Sequence, residues 1–421
     1  MRRLRDLLTT RGRAFVAAGV TLVLCGVGLG FVDLTRVGVL LVVLPLLSGA
    51  LMRRHDLRFA LERTAVPSRV QVDEPSVVTL AIENAGGAAS PLLMAEEQLD
   101  YALGDRPRFV VPRLRRGDRQ EVHYVVRSHL RGRHRLGPLG VRLRDPFGLS
   151  TRVAAISGFS EVLVLPRILP LGGLRPPGSG VGAEGAIPHM VALHGEDDVT
   201  IRSYRDGDDL RRIHWPATAK TGELMVRQED RPARRRAAIV LDSRARGHHG
   251  SGSSGSFEWA VTACASVAAH LAEQGYAVHL VTDETAEDHR CAAAMELDPL
   301  LDVLAMAGPG SDDQFEDVLH AAHPVTSFGG LVLAVVTSLD EEVARRVASL
   351  RQPGGTALAM VLDPGGFPGA RGRHPSHSED LACVPVLRGA GWGVVVVRAD
   401  DDLATVWGAL SHSGSRATAL T

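Results

Sequence analysis

The chain has 421 residues, 45% hydrophobic and 23% charged, with a formal net charge of −1. Such a composition excludes a disordered chain, the length exceeds what one core usually fills, and the near-zero charge excludes a bulk field that would draw nucleic acid. The four cysteines, Cys25, Cys264, Cys291 and Cys383, form no CxxC pair and are too widely spaced for a zinc knuckle or a small disulfide framework, so free and mostly buried thiols are expected.

The N-terminus carries Arg2, Arg3, Arg5, Arg11 and Arg13. An apolar run of about 19 residues follows, AFVAAGVTLVLCGVGLGFV, long enough to cross a bilayer as a helix. DLTR interrupts it, and VGVLLVVLPLLSGALM adds about 16 more residues before RRHDLR. That second run is slightly short, but Arg36 on one side and Arg53 and Arg54 on the other are placed to snorkel to the interfaces, and a membrane helix tolerates Pro45. A cleaved signal peptide predicts no second apolar run, and Leu24 before Cys25 is wrong for a lipoprotein signal. Arginines flank both outer ends, whereas the connecting turn has only Asp33 and Arg36. Residues 1–55 therefore read as a two-pass membrane anchor, with both ends and everything after Met52 in the cytoplasm.

Residues 56–168 change to period two. Leu57, Phe59 and Leu61 alternate with polar residues, as do Val78, Leu80 and Ile82, and Val122, Tyr124 and Val126. Val-Asp-Glu-Pro near 74, Asn-Ala-Gly-Gly at 84–87, Arg-Gly-Asp at 116–118 and Asp-Pro-Phe-Gly at 145–148 supply the turns. The pattern predicts an antiparallel β-sandwich ending near SEVLVLPR. Its many arginines, among them Arg108, Arg133, Arg142 and Arg144, read first as a solvated sheet face, with membrane lipid as the alternative partner.

Residues 169–235 begin as a Gly- and Pro-rich connector, whose GSG-x-G lacks the ending of a phosphate loop. From 236 to 421 apolar strands alternate with helices: RRAAIVLD, FEWAVTACASVAAHLAEQG, YAVHLVTD, a helical region through LDPLLDVLAMAG, GGLVLAVVTS, DEEVARRVASLRQ, GTALAMVLD and GVVVVRADDDLATVWGALS. Repeated βα units imply a doubly wound, mainly parallel sheet, with sites at the carboxyl ends of its strands, where Asp242, Asp283 and Thr337 stand.

The run RGRHRLGPLGVRLRDPFGL at 131–149 and the segment IRSYRDGDDLRRIHWPATAKTGELMVRQED at 201–230 resemble the bacterial membrane-protein family catalogued as domain of unknown function 58. The register rests on Tyr204, Gly207-Asp208, Arg211, Ile213-His214-Trp215, Ala219, Leu224 and Arg227. The resemblance implies two N-terminal spans, a sandwich and a C-terminal domain similar to von Willebrand factor type A. It also implies a MoxR-type AAA+ ATPase as partner, often with a transglutaminase-like membrane protein; from charge and motifs, neither nucleic acid nor a cofactor is expected.

Type A domains often bind Mg²⁺ through Asp-x-Ser-x-Ser, but here the loop reads Asp242-Ser243-Arg244-Ala245-Arg246. Arginine has no acceptor atom, so the site reads as degenerate, with Asp242 pairing to a guanidinium instead. His248 and His249 read as a surface loop. The signature holds Asp208, Asp209, Arg211, His214, Trp215 and Lys220, the only lysine in the chain. A hydrolytic reading would make His214 a base and Lys220 a nucleophile or clamp, but no activated Ser or Cys elbow and no oxyanion motif accompany them. The preferred reading is a salt-bridged binding epitope, with Ile213 and Trp215 as apolar anchors and Lys220 in a loop. The expectation is a membrane-anchored, non-enzymatic adaptor, with a hydrolase or a metal-dependent adhesion module as alternatives.

Overall fold

The computed structural model describes residues 8–54, 58–172, 199–203, 213, 215–229, 235–250, 252–327, 329–368 and 381–418. The chain forms two compact units, one of Met1–Ile168 with Gly250–Ala265 and Asp298–Gly308, the other of Leu169–His249, Ser266–Leu297 and Pro309–Thr421.

The first unit begins with two helices, α1 (Thr10–Leu29) and α2 (Val32–Arg54), both long and apolar enough to cross a membrane. The Thr9 hydroxyl caps α1 by accepting the Gly12 N–H at 3.1 Å, and α1 stops at Gly30, whose φ of 72° suits glycine. The buried residues of α1 are Gly12, Gly19 and Gly26, one every seventh position. A Cβ at Gly19 would lie 2.7 Å from the Gly38 carbonyl oxygen, and one at Gly38 would lie 2.8 Å from that of Gly19. The two backbones therefore touch, as small residues allow between membrane helices. Gly19→Ile is expected to loosen the pair by about 1–3 kcal/mol, seen as faster hydrogen exchange of both helices in detergent; unchanged exchange would contradict this packing.

Two features of this helix pair differ from the expectation. The second helix is 23 residues long, and Met52 near its end is 5% exposed, packed in a core with Leu80, Ile82, Leu93, Ala95 and Leu139. The Asp-Pro-Phe-Gly turn is more than a strand connector. Buried Asp145 accepts the Ser48 hydroxyl at 2.7 Å through Oδ2 and the Ser150 N–H at 2.8 Å through Oδ1. The Thr9 hydroxyl donates to the Gly148 carbonyl at 2.7 Å, and a Cβ at Gly12 would meet the Leu149 carbonyl oxygen at 2.1 Å. One turn thus holds the start of α1 and the end of α2.

Nine strands follow: β1 (Phe59–Val66), β2 (Arg69–Gln71), β3 (Ser76–Asn84), β4 (Leu93–Leu99), β5 (Arg108–Val111), β6 (Arg119–Val126), β7 (Gly132–Arg144), β8 (Thr151–Ile156) and β9 (Ser160–Leu165). They make a three-stranded sheet, β1-β3-β6, and a second sheet ordered β2-β9-β7-β4-β5 with β8 on β7. Pairing is antiparallel as expected, except that β2 runs parallel to β9. Period two explains the cores: Val78, Leu80 and Ile82 of one sheet are at most 1% exposed and cluster with Leu136, Leu139 and Val141 of the other. Within this interior lies an ion pair, Arg63 Nε to Glu97 Oε1 at 2.9 Å, with both side chains at most 2% exposed.

The second unit opens with β10 (Val199–Ser203), α3 (Trp215–Thr221) and β11 (Met225–Glu229); β10 and β11 pair antiparallel. The connector and signature region therefore holds a two-stranded ribbon and a short helix. The chain continues with β12 (Arg236–Leu241), α4 (Ser256–Glu273, which counts with the first unit as far as Ala265), β13 (Ala277–Val281), α5 (Asp283–Glu287), α6 (Leu297–Met306, which counts with the first unit from Asp298) and α7 (Asp312–Thr326). It ends with β14 (Leu331–Val336), α8 (Glu341–Ala348), β15 (Thr356–Leu362), α9 (Cys383–Gly389), β16 (Gly393–Val397) and α10 (Leu403–Thr418). The five strands are all parallel, in the order β13-β12-β14-β15-β16. Every residue of β14 is buried, the mark of a sheet covered on both faces. Neither α7, with its internal Pro324, nor α9 was among the expected helices.

Candidate functional site

The order of the parallel sheet reverses at β12, whose neighbours are β13 and β14. Such reversals open a crevice at the carboxyl ends of the strands. Here the chain leaves β12 at Asp242 and β14 at Thr337, and the two residues meet. Asp242 is 0% exposed, yet each of its oxygens is satisfied. Oδ1 accepts the Arg244 N–H at 3.1 Å and Nε–H at 2.9 Å; Oδ2 accepts Arg244 Nη2 at 2.7 Å, the Thr337 N–H at 3.1 Å and the Thr337 hydroxyl at 3.0 Å. Burial disfavours both charges, but the mutual hydrogen bonds and attraction overcome it, holding the Asp242 carboxyl below its usual range and the Arg244 guanidinium above its own. The expected Asp242–guanidinium pair is thus present, and it closes the carboxylate like a latch.

The residues around the latch keep it in place. The Arg244 guanidinium lies over the Phe315 ring of α7, 5.0 Å from its centroid. Gly247 has no room for a side chain, since a Cβ there would lie 2.1 Å from Thr337 Oγ1. The turn is tied by Gly310, whose N–H donates to the Ser243 carbonyl at 2.6 Å and whose carbonyl accepts the Ala245 N–H at 2.9 Å. Outside lies an open depression of about 370 Å³ lined by Asp312, Asp313, Glu316, Asp340 and Glu342 together with Arg244, Arg246 and Arg346. Its cations are paired: Arg246 with Asp312 at 2.9 Å, Arg346 with Glu316 at 2.9 Å and with Glu342 at 2.8 Å. Asp283, the third residue expected at this edge, starts α5.

His248 lies in a loop as expected, but its ring is half-buried: Nε2–H donates to the Asp242 carbonyl at 2.7 Å, and burial pushes its pKa below 6.5, opposed by Asp242. The unfolded chain therefore binds the extra proton first, so this group's contribution to stability is full above 6.5 and declines as pH falls through the depressed folded value. Urea midpoints of the full chain at about pH 7.5 and about pH 5.5 are expected to differ less in His248→Gln than in the parent; equal differences would refute the assignment.

The signature residues fare unevenly. Tyr204, Gly207, Asp208, Asp209, Arg211 and His214 lie outside the described residues. Ile213 bridges Val226 of β11, and Arg227 pairs in register with Ile201. Trp215 is not the buried anchor expected: it is 65% exposed, at the start of α3. Lys220 is exposed too, in the last turn of that helix and not in a loop. The Thr218 hydroxyl accepts the Met225 N–H at 3.0 Å, tying α3 to β11. Three of the four cysteines are buried as expected, and Cys25 is exposed.

The ribbon, its helix and the latch now stand in one stretch of chain. Residues 200–349 match the family model described as "Protein of unknown function DUF58". The match takes in the DUF58 signature, the Asp242 loop, β14 and α8. No curated protein matches the chain. Among solved structures, it resembles the CARDB domain of the PF1109 protein of Pyrococcus furiosus at 16% identity, covering 25% of this chain and 92% of that one, with a TM-score of 0.20. The alkylpurine DNA glycosylase AlkC of Pseudomonas fluorescens is similar at 16% identity over 31% of this chain and 38% of that one, at a TM-score of 0.19. A β-glucosidase from Listeria innocua matches at 17% identity over 25% of this chain and 16% of its own, at a TM-score of 0.17. Likenesses this slight say nothing of activity.

Proposed function

We propose that this chain is a two-pass, membrane-anchored and cytoplasm-facing adaptor, not an enzyme, in which a β-sandwich and a von Willebrand factor type A-like domain present the DUF58 signature to a MoxR-type AAA+ ATPase. The work of that pair would be membrane or envelope protein assembly, with a transglutaminase-like membrane protein as a further partner. The observation that carries the reading is the exposed pair on α3: Trp215 projects at 65% exposure and Lys220 follows on the same helix, on a segment tied to β11. An uncovered indole is characteristic of an interface hot spot, and the same helix carries a cation five residues further on. Support also comes from the latch. In a type A domain the carboxylate after the first strand is free to take a divalent cation with hydroxyl oxygens, whereas here Arg244 occupies both oxygens of Asp242. The arginines flanking the outer ends of the hairpin support the cytoplasmic side.

The experiment is co-purification of the ATPase with the full chain from detergent extracts. Trp215→Ala and Lys220→Glu are each expected to reduce recovery by about tenfold, the loss of roughly 1–2 kcal/mol at a hot spot. Parental recovery from both variants would overturn the epitope. A reporter fused to the C-terminal end and active only outside the cytoplasm would overturn the choice of partner.

A further inference from the structure

The outward face of the sheet formed by β5, β4, β7 and β8 is unusual for an antiparallel sheet, whose solvent side is ordinarily polar. Val110, Met94, Arg142 and Val153 stand in register across the four strands. The three apolar members are 58%, 54% and 66% exposed, and Leu92, at 65%, lies at the same end. Further along the strands the row Arg108, Glu96, Gly140 and Ala155 returns to ordinary surface chemistry, with Arg108 Nε 3.0 Å from Glu96 Oε2. The apolar row is therefore confined to the end of the sheet near the Asp145 turn.

That end is where the anchor attaches. Thr9, the cap of α1, lines with Met94, Val110, Arg142, Arg144 and Val153 an open groove of about 650 Å³. Phe147, in the turn that holds both helices, is 65% exposed. If α1 spans a bilayer, the groove opens at the depth of the lipid headgroups. Its charge suits an anion. Arg108, Arg119 and Arg133 each have an acidic partner, whereas Arg142 and Arg144 have none among the described residues.

We infer that this face is a seat for an anionic phospholipid, with Arg142 and Arg144 taking the phosphate and Met94, Val110 and Val153 taking the apolar part next to it. A solvated face would not expose an apolar row, and a purely apolar contact would not leave two arginines unpaired inside it. The inference rests on the membrane-anchor reading and names the surface by which the sheets would lie against the bilayer.

The test uses the full chain in nanodiscs containing brominated phosphatidylglycerol or brominated phosphatidylcholine. In the native chain a bimane on Cys25, exposed on α1, reports whether the hairpin is embedded. In a Cys25→Ser/Val153→Cys chain a bimane reports the sheet face. Quenching at position 153 by phosphatidylglycerol at low mole fraction is the expected result. Arg142→Gln/Arg144→Gln is expected to raise the fraction needed by about 30-fold, from roughly fivefold per charge near an anionic surface. Quenching at Cys25 but not at 153 would overturn the seat and leave the anchor standing, whereas no quenching at Cys25 would overturn the anchor itself. Equal quenching by phosphatidylcholine at 153, or shielding that depends only on protein concentration in detergent, would also overturn the seat, the latter pointing to a second copy of the chain.

Discussion

Arg244→Ala is expected to destabilise the second unit by about 3–5 kcal/mol, because it leaves Asp242 as an uncompensated charge at 0% exposure. Urea unfolding of the full chain in detergent would measure it, followed by the fluorescence of Trp392 and Trp407, which are 3% and 0% exposed. The pH dependence supplies a second reading. In the parent, the Asp242 pKa is held below 3.8, so the latch contributes fully above that value and is lost as pH falls through the depressed one. In Arg244→Ala the guanidinium no longer opposes burial, and only the Thr337 N–H and hydroxyl and the backbone N–H at 244 still favour the carboxylate; its pKa should therefore rise and the defect shrink as the solution is acidified. Asp242→Asn/Arg244→Met, which removes both charges, is expected to cost less than Arg244→Ala alone. A neutral-pH defect below about 1 kcal/mol for Arg244→Ala would place the pair among ornamental surface bridges, contrary to its burial.

Glu97→Ala is expected to produce a defect of similar size, about 3–5 kcal/mol, in the first unit. It strips the carboxylate from Arg63, whose side chain is 2% exposed and whose Nη1 would keep only the Gly158 carbonyl, at 2.9 Å. Here the outcome is the reverse of that at the latch. Burial outweighs Arg63, so the Glu97 carboxyl sits above its usual 4.5. Stability from this group is therefore highest below 4.5 and declines as pH rises through the raised folded value. Glu97→Gln keeps an acceptor for Arg63 and cannot titrate, so it should be milder than Glu97→Ala and remove that slope. Equal defects for Gln and Ala, measured by thermal unfolding across that range, would show that the hydrogen bond has no part in holding Arg63.

Much of the architecture was readable in advance, as was the pairing of Asp242 with a guanidinium, whereas the buried pair of Arg63 and Glu97 was not. Two apolar runs foretold two helices, since length and composition alone meet the needs of a span. Alternation at Val78, Leu80 and Ile82 foretold the strand β3, because period two is local. Near-continuous apolar runs foretold all five parallel strands. The helix α7 escaped notice because acidic residues dilute its apolar face and Pro324 interrupts it, yet its Phe315 supports Arg244. Trp215 was read as an apolar anchor of its segment, but it is 65% exposed, and indoles are enriched at interfaces as well as in cores.

The amino-acid order by itself determined the two long apolar helices, the strand-rich segment, the βα alternation and the arginines of the Asp242 loop, because each is a property of neighbours along the chain. Only the tertiary structure decided that Met52 enters a sheet core, that the Asp145 turn grips both helices and that His248 turns onto the Asp242 carbonyl. It alone aligned Val110, Met94 and Val153 with Arg142 into one face. Register and packing between elements set those meetings, and no hydrophobic periodicity along the chain announces them.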